Sequence, residues 1–503
     1  MNETRQGVAL ILAGIALLAL FSGVTAALAP PIHQAEQTRV DGPTLVGAMG
    51  NGHDGGVYEL NESGDIVWSF EKDAISYNDV SRMGDDRVLA AFQEKSENCG
   101  RFETPCFRTG YRIINTTTNE IVDEWDFPVR TAMNSEVHDV EYLPQRGEVL
   151  IADMDRERVF ALNLSSKTIT WQWNASQRYE APPEPTRTDW LHINDVDAID
   201  DGRYLISVRN TDQLLILNRS CACASEVINR KRSHQLLKEQ HNPQWLGDDA
   251  VLVADSENDR VVELHQQPNG SWTVAWSAIS ANGIQFDWPR DADRLPNGNT
   301  LVLDTRNNRV VEITKAGDVV WSASIPEQGY DAERGGTEYP VGPAYNASGM
   351  VVGTESRPPV PGLNKLYGGV RHFVPLPYWV SEWHLLVGLI SVTFAVAGSW
   401  LIVTPRLEPL VERWRDWQTP DTVKRASRRE RWKRQAWMIG SSIVAAFLVV
   451  LVFIGIENLG FPGELGVFVI AWMLLDQRLF SWGVEYFDLV LPWQFREEVE
   501  DGE

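Results

Sequence analysis

Basic side chains recur at one position of an internal repeat. Copies of the repeat begin at Asn78, His138, Asn194, His241 and Arg290, and His192 lies two residues before Asn194. Residues at one position of a repeated unit take the same place in each unit, so a closed ring of units would bring these side chains together. Imidazole serves as a nucleophile, a general base or a metal ligand, and guanidinium is a permanently charged fork that matches sulfate, phosphate or carboxylate. The pattern predicts an anion site, and a reactive one.

The repeat also predicts the fold. The spacings between successive copies are 60, 56, 47 and 49 residues, and a period near fifty with several short strands is typical of a β-propeller blade. In the copy at Arg290, the apolar segments TLVLDT, RVVEIT and VVWSAS are separated by the turns RNN and KAGD. Such alternation between turn residues indicates antiparallel hairpins. Arg209 lies seventeen residues after His192, at the far end of one such hairpin, so an antiparallel strand pair would return it near His192. The segment expected to form a fourth strand carries Trp68, Trp171, Trp276 or Trp321, and we expect these indoles to pack between blades.

A sixth unit is divided between the two ends of the repeat region. The segment from Tyr339, YPVGPAYNASGMVVGTES, resembles an inner strand pair, and the segment from Thr44 resembles the outer strands of the same unit. Joining them in one blade would close the ring and leave no exposed end blade. We therefore expect an all-β, six-bladed β-propeller over residues 40–360.

The charge balance restricts the partners and indicates a source. The 503 residues carry 69 acidic and 45 basic side chains, for a net charge of −24, and Arg outnumbers Lys by 36 to 9. An acidic, Lys-poor chain is typical of a halophilic archaeon, where carboxylates keep the surface hydrated in high salt. An acidic protein from an ordinary environment is the alternative. Either way, the balance argues against nucleic-acid binding, which requires a basic face.

Apolar segments outside the repeats predict membrane spans. Residues 7–29 carry no charge and are long enough to cross a bilayer, either as an uncleaved anchor or as a cleaved signal peptide. Further spans are expected at 383–403 and 437–456. The loop at 404–436 between them is basic, with ten Arg or Lys and five Asp or Glu in residues 406–435. Because basic loops stay inside the cell, this loop is expected to be cytoplasmic.

The remaining segments complete a multi-pass topology in the cell membrane. Residues 1–6 form a short cytoplasmic N-terminus, 462–480 form a fourth span or an interfacial helix, and 481–503 form an acidic tail. With the basic loop inside, the propeller is expected on the extracellular side. The propeller region contains N-glycosylation sequons, as extracellular glycoproteins do. They lie at Asn61, Asn115, Asn163, Asn174, Asn218, Asn269 and Asn346.

All four cysteines lie in the propeller region. Cys99 and Cys106 bracket a short loop, as a disulfide does, whereas Cys221 and Cys223 either bridge with strain or pair elsewhere. Disulfides agree with an exterior location. A zinc site made of four cysteines is the alternative, although neither pair has the usual Cys-x-x-Cys spacing.

Other interpretations of the repeated histidines were weighed. A His or Asn at a strand start often only bonds a nearby backbone group. Three histidines also form a zinc site in some enzymes, but the neighbouring arginines would repel a cation. We therefore expect no metal and no cofactor.

One segment resembles a known family. DWLHINDVDAIDDGRYLISVRN, from Asp189, is similar to the signature of the arylsulfate sulfotransferases, the bacterial and fungal propeller enzymes. The matching residues are His192, Asn194, Ser207, Arg209, the pair Gln240-His241, and His138 in the blade before. The resemblance covers about 300 residues and none of the membrane segments. It identifies a membrane-anchored member, without the added β-sandwich domain of the bacterial enzymes.

The resemblance implies a nucleotide-independent sulfotransferase. His241 would attack sulfur and carry the group as a sulfohistidine, while His138, His192 and Arg209 would bind the sulfuryl oxygens. His192 or His138 would protonate the leaving group. The donor would be a sulfate ester of the aryl sulfate type, and the acceptor a phenol, a glycan or a lipid-linked sugar. Asn78, Asn194 and Arg290 are expected to line the substrate site, although Arg290 is not part of the family pattern.

Two other functions remain open. A non-catalytic extracellular propeller that binds a ligand, as a binding or scaffold module, would use the same ring of side chains. A quinone-dependent dehydrogenase would suit the Trp-bearing strands, but the chain has no adjacent cysteine pair and no clear calcium-binding cluster.

Overall fold

The computed structural model describes residues 3–418, apart from 33, 36–41, 51–53, 73, 130, 132–133, 185–187, 248, 336–340, 355–359, 361 and 375. The predicted spans at 437–456 and 462–480, the acidic tail and most of the basic loop lie outside the described residues. The chain divides into two compact units, one formed by Ala29–Ser356 with Pro377–Trp379, and one by the remaining segments. Each unit is described by itself.

The larger unit is an all-β arrangement of short strands. The first eight are β1 (Gln34–Ala35), β2 (Thr44–Met49), β3 (Gly56–Leu60), β4 (Ile66–Phe70), β5 (Ser76–Arg82), β6 (Arg87–Ser96), β7 (Cys106–Asn115) and β8 (Glu120–Val129). The next eight are β9 (Val137–Leu143), β10 (Glu148–Asp153), β11 (Arg158–Asn163), β12 (Ile169–Asn174), β13 (Ile193–Asp200), β14 (Arg203–Val208), β15 (Gln213–Asn218) and β16 (Cys223–Ile228). The last twelve are β17 (His241–Gly247), β18 (Ala250–Asp255), β19 (Arg260–Gln266), β20 (Trp272–Ala278), β21 (Ser280–Ala281), β22 (Ile284–Gln285), β23 (Asp291–Arg294), β24 (Thr300–Asp304), β25 (Arg309–Ile313), β26 (Val319–Ser324), β27 (Gln328–Arg334) and β28 (Met350–Val352).

These strands form a β-propeller arrangement. Four sheets are antiparallel meanders of four consecutive strands, β9–β12, β13–β16, β17–β20 and β23–β26. The strands of the copy at Arg290 fall where the sequence predicts them. Two of the four sheets gain a short fifth strand at the outer edge: β1 pairs with β26, and β28 pairs with β20.

Eight further strands belong to one sheet, and β21 and β22 pair with each other. The described sheets are therefore not six separate blades. In the eight-stranded sheet, β5–β8 form one meander, and β2–β4 form another with β27 alongside β2. A single residue pair, Met49 with Ser76, joins the two groups. The sequence therefore predicts the propeller arrangement and most of its strands, but not this continuous sheet.

The ring closes through a different segment from the one expected. The strand beside Thr44–Met49 is Gln328–Arg334, which pairs antiparallel with it, and not the segment from Tyr339. Residues 336–340 lie outside the described part of the chain, and Met350–Val352 runs parallel to β20. The prediction failed because residues 328–334, QGYDAER, are mostly polar and lack the alternation of apolar residues that indicates a strand. Its partner strand, some 280 residues earlier, is what defines it as a strand.

Indoles join three of the sheets to the next one, in agreement with the predicted packing between blades. The ring nitrogen of Trp276 donates to the carbonyl of Lys315 at 2.9 Å, and that of Trp321 donates to the carbonyl of Glu62 at 3.0 Å. Trp171 makes the same bond to the carbonyl of Arg219 at 2.9 Å. Each carbonyl lies in a turn of the following blade, so burial of the ring and a hydrogen bond act at one place.

The four cysteines form two disulfides, Cys99–Cys106 and Cys221–Cys223, with Cα–Cα distances of 5.5 and 5.2 Å. The second pair therefore bridges its own two-residue spacing instead of pairing elsewhere. The zinc alternative is wrong, since it needs four thiolates.

The smaller unit contains three described helices, α1 (Glu3–Leu28), α2 (Leu363–Phe373) and α3 (Glu382–Gln418). Two helical segments, Glu3–Leu28 and Glu382–Pro405, are long and apolar enough to cross a membrane, with mean hydropathies of 2.5 and 2.2. Helices α1 and α3 pack closely where both have glycine: a Cβ on Gly7 would lie 2.4 Å from the carbonyl oxygen of Gly398. Small residues permit such close packing between apolar helices.

Trp276→Phe should lower the free energy of unfolding by about 1 kcal/mol more than Trp68→Phe does, because only the first change removes a hydrogen bond. The ring nitrogen of Trp68 is buried and has no hydrogen-bond partner among the described residues, so Trp68→Phe is the control. Thermal unfolding of the two variants in detergent measures the difference. Equal losses of stability would show that the bond to Lys315 contributes nothing.

Candidate functional site

Six inner strands, β5, β9, β13, β17, β23 and β27, carry the repeated position near or directly before their first residue. It holds Asn78, His138, Asn194, His241, Arg290 and Tyr330, and an Asp or Asn follows each of them. Asn78, His138, Asn194 and Tyr330 are skipped in the strand pairing, so each is the extra residue of a β-bulge. A bulge turns a side chain away from the regular pleat. This local irregularity directs the side chains towards one another.

The three predicted histidines meet. The ring centre of His138 lies 5.4 Å from that of His192 and 6.1 Å from that of His241. His138 also lies 5.4 Å from the ring of Tyr330, and His241 lies 5.8 Å from that of Trp288. His138 is thus the centre of the cluster, which we call the histidine cluster (His138, His192 and His241). All three rings are buried.

A serine fixes the tautomer of His241. The Nδ1 atom lies 2.7 Å from the hydroxyl of Ser256, and that hydroxyl lies 2.7 Å from the carbonyl oxygen of Pro289. The hydroxyl has one proton, and the carbonyl can only accept it. Ser256 therefore donates to Pro289 and accepts from Nδ1–H. This leaves the lone pair of His241 on Nε2.

His192 lies in a constrained loop. Its φ angle is +55°, in the left-handed region that non-glycine residues rarely adopt. The carboxylate of Glu157 holds this conformation, since it accepts hydrogen bonds from the backbone N–H groups of Leu191, His192 and Ile193 at 3.1, 2.9 and 3.2 Å. The Nδ1 atom of His192 lies 2.8 and 2.9 Å from the two carboxylate oxygens of Asp189.

Similar clamps hold other loops that lead into the site. Glu157, Asp212 and Asp259 all have φ angles of about +50° in tight turns. Asp212 accepts from the backbone N–H of Glu239 at 2.8 Å, two residues before His241. Asp259 accepts from the N–H of Trp288 at 2.9 Å, two residues before Arg290. Each turn therefore positions the site residue of the next blade.

Arg209 lies beside His192, as the antiparallel hairpin predicted. Its backbone N–H donates to the carbonyl of His192 at 3.2 Å, and its Nη1 lies 2.8 Å from His192 Nδ1. Its charge is balanced by carboxylates, with Nη2 2.6 Å from Glu239 and Nη1 3.8 Å from Asp189. The positive charge of Arg209 is therefore balanced by these two carboxylates.

Arg290 is the less compensated cation. Its guanidinium lies 3.7 Å from the ring centre of Tyr330 and 4.3 Å from that of Trp288. Its Nε and Nη1 atoms are buried without a hydrogen-bond partner among the described residues. A buried guanidinium with unused N–H groups is a ready ligand for an anion. The resemblance assigned the binding of the sulfuryl oxygens to Arg209. The unused N–H groups make Arg290 a second candidate for binding an anion.

The imidazoles are held neutral. Burial, together with the nearby guanidinium groups, lowers the pKa of His241 and that of His138 well below the usual value. Burial and the charge of Arg209 lower the pKa of His192 to about 4, although Asp189 opposes this change. Neutral imidazoles keep a lone pair at ordinary pH and can act as nucleophile or base.

The two asparagines fasten the ring. Asn78 donates to the carbonyl of Val137 at 3.1 Å, and Asn194 donates to the carbonyl of Gln240 at 2.8 Å. Each bond reaches the residue just before a histidine of the next blade. Their side-chain oxygens are buried and have no hydrogen-bond partner in the part of the chain that the structure describes.

Sequence reasoning missed several residues of the site. Tyr330 lies on the unrecognised strand β27, and Trp288 and Ser256 lie in turns outside the repeated strands. Glu136, two residues before His138, is buried, and burial raises its pKa to about 7. The signals available were the Trp two residues before Arg290 and the Glu two residues before His138.

Buried and half-buried carboxylates form a second layer beside the cationic one, the acidic belt. Its members are Asp79, Asp139, Glu141, Asp195, Asp197, Asp291, Asp293, Asp331 and Glu333. Several accept a backbone N–H from the next inner strand: Asp331 from Val80 at 3.1 Å, and Asp139 from Val196 at 2.5 Å. Within the described part of the chain, no three His, Cys, Asp or Glu residues are arranged to hold a metal ion.

No protein-family model matches the sequence, and no curated protein is similar to it. Solved structures share its general shape at low similarity. A Bacteroides caccae protein of unknown function has a TM-score of 0.44 at 16% identity, covering 58% of this chain and 98% of its own. The Pseudomonas aeruginosa periplasmic gluconolactonase has a TM-score of 0.36 at 10% identity, covering 58% and 98%. These likenesses are too distant to indicate a function.

The acidic belt should make stability fall as the pH rises from 6.5 to 8. Burial raises the pKa values of Asp197, Asp293 and Glu333 to about 8, so these groups bind protons in the folded state that the unfolded chain has already lost. Each such proton changes the slope by up to about 1.4 kcal/mol per pH unit.

Asp293→Asn should reduce this slope, because it removes one titrating group and keeps the oxygen that accepts from Gln244 at 2.8 Å. Asp201→Asn, at an exposed position, is the control. Unfolding midpoints at pH 6.5 and 8 give the comparison. A wild-type midpoint that rises with pH would contradict the assignment.

Proposed function

We propose that this protein is a sulfotransferase that moves a sulfuryl group from a sulfate ester to a hydroxyl acceptor through a sulfohistidine at His241. The observation that carries the proposal is the buried histidine cluster lying between two guanidinium groups. His241 presents a nucleophilic nitrogen whose tautomer is fixed, and Arg290 presents unused N–H groups.

The chemistry follows from these groups. His241 Nε2 attacks sulfur, the bond between sulfur and the ester oxygen breaks, and the leaving group departs with the electron pair. An acceptor oxygen then attacks the sulfohistidine, and the electron pair of the S–N bond returns to Nε2. A covalent step of this kind permits ping-pong transfer. Arg290, Arg209 and His138 stabilise the charge on the sulfuryl oxygens.

The charge of the site favours sulfate over phosphate. A sulfate monoester carries one negative charge, whereas a phosphate monoester carries nearly two at pH 7. Arg209 is balanced by Glu239 and Asp189, and the three imidazoles are neutral. Arg290 is then the principal uncompensated charge, which suits a monoanion.

The resemblance to the arylsulfate sulfotransferases supports the same assignment. The residues that carry it, among them His138, His192, Arg209 and His241, come from three sheets and meet in one cluster. The donor would be an aryl sulfate-like ester, and the acceptor a phenol, a glycan or a lipid-linked sugar. No cofactor enters this scheme.

The proposal includes the setting of the enzyme. We count six blades, taking the eight-stranded sheet with β27 as two, because six inner strands each contribute one residue to the repeated position. The apolar helices would anchor the chain in the membrane of a halophilic archaeon. The disulfides, the sequons and the basic loop favour a propeller on the extracellular side.

His241→Asn should abolish turnover of a chromogenic aryl sulfate with a phenol acceptor in high salt, a loss of at least about 10³-fold. The wild-type protein, quenched during turnover, should carry a sulfuryl group on His241 detectable by mass spectrometry. Asp201→Asn, at an exposed position away from the cluster, is the control and should keep wild-type activity.

Absence of both turnover and labelled histidine with aryl, glycan and lipid-linked sulfate esters would contradict the proposal. A ligand-binding propeller without catalysis is the alternative that such a result would favour. In that case His241→Asn should only weaken binding of the anion.

A further inference from the structure

We propose that His192 and Asp189 form a proton-transfer pair, in which His192 Nε2 takes the proton of the acceptor hydroxyl during the second half of the reaction. This inference rests on the proposed sulfotransferase function. It assigns the acid–base role that the sequence left open between His192 and His138, and it adds Asp189, which no repeat or motif indicated.

The first observation is the contact between the two side chains. Both carboxylate oxygens of Asp189 lie within 2.9 Å of His192 Nδ1. Although burial opposes it, the bond to His192 and the charge of Arg209 hold the pKa of Asp189 below its usual value, so the group is a carboxylate. A carboxylate at Nδ1 orients an imidazole and stabilises the imidazolium that forms when Nε2 takes a proton.

The tautomer follows from the neighbours of Nδ1. A lone pair on Nδ1 would face two carboxylate oxygens at 2.8 and 2.9 Å, which is repulsive. A proton on Nδ1 is donated to Asp189 instead. Arg209 Nη1 also lies 2.8 Å from this nitrogen, but a guanidinium N–H can only donate, so the proposal requires Nη1 to turn from Nδ1 towards Asp189, 3.8 Å away, while Nη2 keeps its bond to Glu239. His192 Nε2 therefore carries the lone pair that a base requires.

The other two imidazoles have different surroundings. His241 Nδ1 bonds the neutral hydroxyl of Ser256, which supports a nucleophile but does not balance a positive charge. His138 contacts the rings of His192, His241 and Tyr330. Within the described residues, His192 is the one member of the histidine cluster with a carboxylate at hydrogen-bond distance.

The loop that carries His192 is built to hold the ring in place. Its left-handed φ of +55° is a strained conformation for a residue with a side chain. Glu157 stabilises it with bonds to three consecutive backbone N–H groups. The ring is thereby fixed with Nδ1 towards Asp189 and its centre 5.4 Å from that of His138.

The step balances as follows. The acceptor oxygen forms a bond to sulfur as its proton moves to His192 Nε2. The S–N bond to His241 breaks, and its electron pair returns to His241 Nε2. The imidazolium of His192 is stabilised by Asp189 until it releases the proton to the solvent or to the next leaving oxygen.

The test separates the two half-reactions. With 4-nitrophenyl sulfate as donor, the first turnover releases nitrophenolate, a stable anion that needs no proton. Asp189→Asn should therefore keep a pre-steady-state burst of nitrophenolate. Steady turnover with unsubstituted phenol as acceptor should fall by about 10²-fold or more. With a strongly acidic phenol, already ionised at the assay pH, the fall should be much smaller.

Asp200→Asn on the same sheet is the matched control, because Asp200 pairs with Arg203 at a surface turn. It should behave as wild type with every acceptor. An equal loss with ionised and un-ionised acceptors, or loss of the burst in Asp189→Asn, would overturn the proton-transfer role. Failure of the wild-type protein to give any burst or sulfohistidine would instead overturn the proposed function itself.

Discussion

Hydrogen bonds in which carboxylates of one blade accept from backbone N–H groups of the next hold several of the segments that carry site residues. In tight left-handed turns, Glu157, Asp212 and Asp259 each hold the loop that leads to the following inner strand. Deeper in the ring, Asp331 of β27 accepts from Val80 of β5, which joins the last inner strand to the first. Apolar packing between blades tolerates small shifts, but these directional bonds do not. The precision of the histidine cluster therefore depends on acidic residues that never touch a substrate.

Burial explains how several ionisable groups share one space without a large net charge. Two guanidinium groups and three imidazoles lie together, and protonating all five would place like charges a few ångströms apart. The structure avoids this because burial and the guanidinium groups keep the imidazoles neutral. The adjacent carboxylates retain protons in turn, since burial raises their pKa values. Net charge in the centre is thus kept low, with Arg290 as the main exception.

The repeat predicted the positions of many strands, but fewer of the residues that surround the histidine cluster. Apolar alternation and turn residues located β23–β26 closely, and the hairpin return correctly placed Arg209 beside His192. Three kinds of residue could not be found this way. Tyr330 lies on a polar strand defined by its pairing with Thr44–Met49, which is distant in sequence. Ser256 and Trp288 lie in turns, where period carries no information. Asp189 acts through a left-handed backbone at His192, and local sequence does not disclose such strain.

The repeat brings the side chains together, but residues that differ between the blades give each imidazole different partners. All six inner strands offer one residue to the centre, and identical residues there would be chemically equivalent. Instead, His241 meets a serine hydroxyl, His192 meets a carboxylate, and His138 meets aromatic rings. These partners come from segments that differ between blades, two of them loops and one the strand β27, so the three imidazoles acquire different surroundings. A nucleophile and a base need opposite support: the first a neutral donor that fixes its lone pair, the second an anion that stabilises its charge. The asymmetry of these segments, more than the number of histidines, is what would suit the ring to the proposed group transfer.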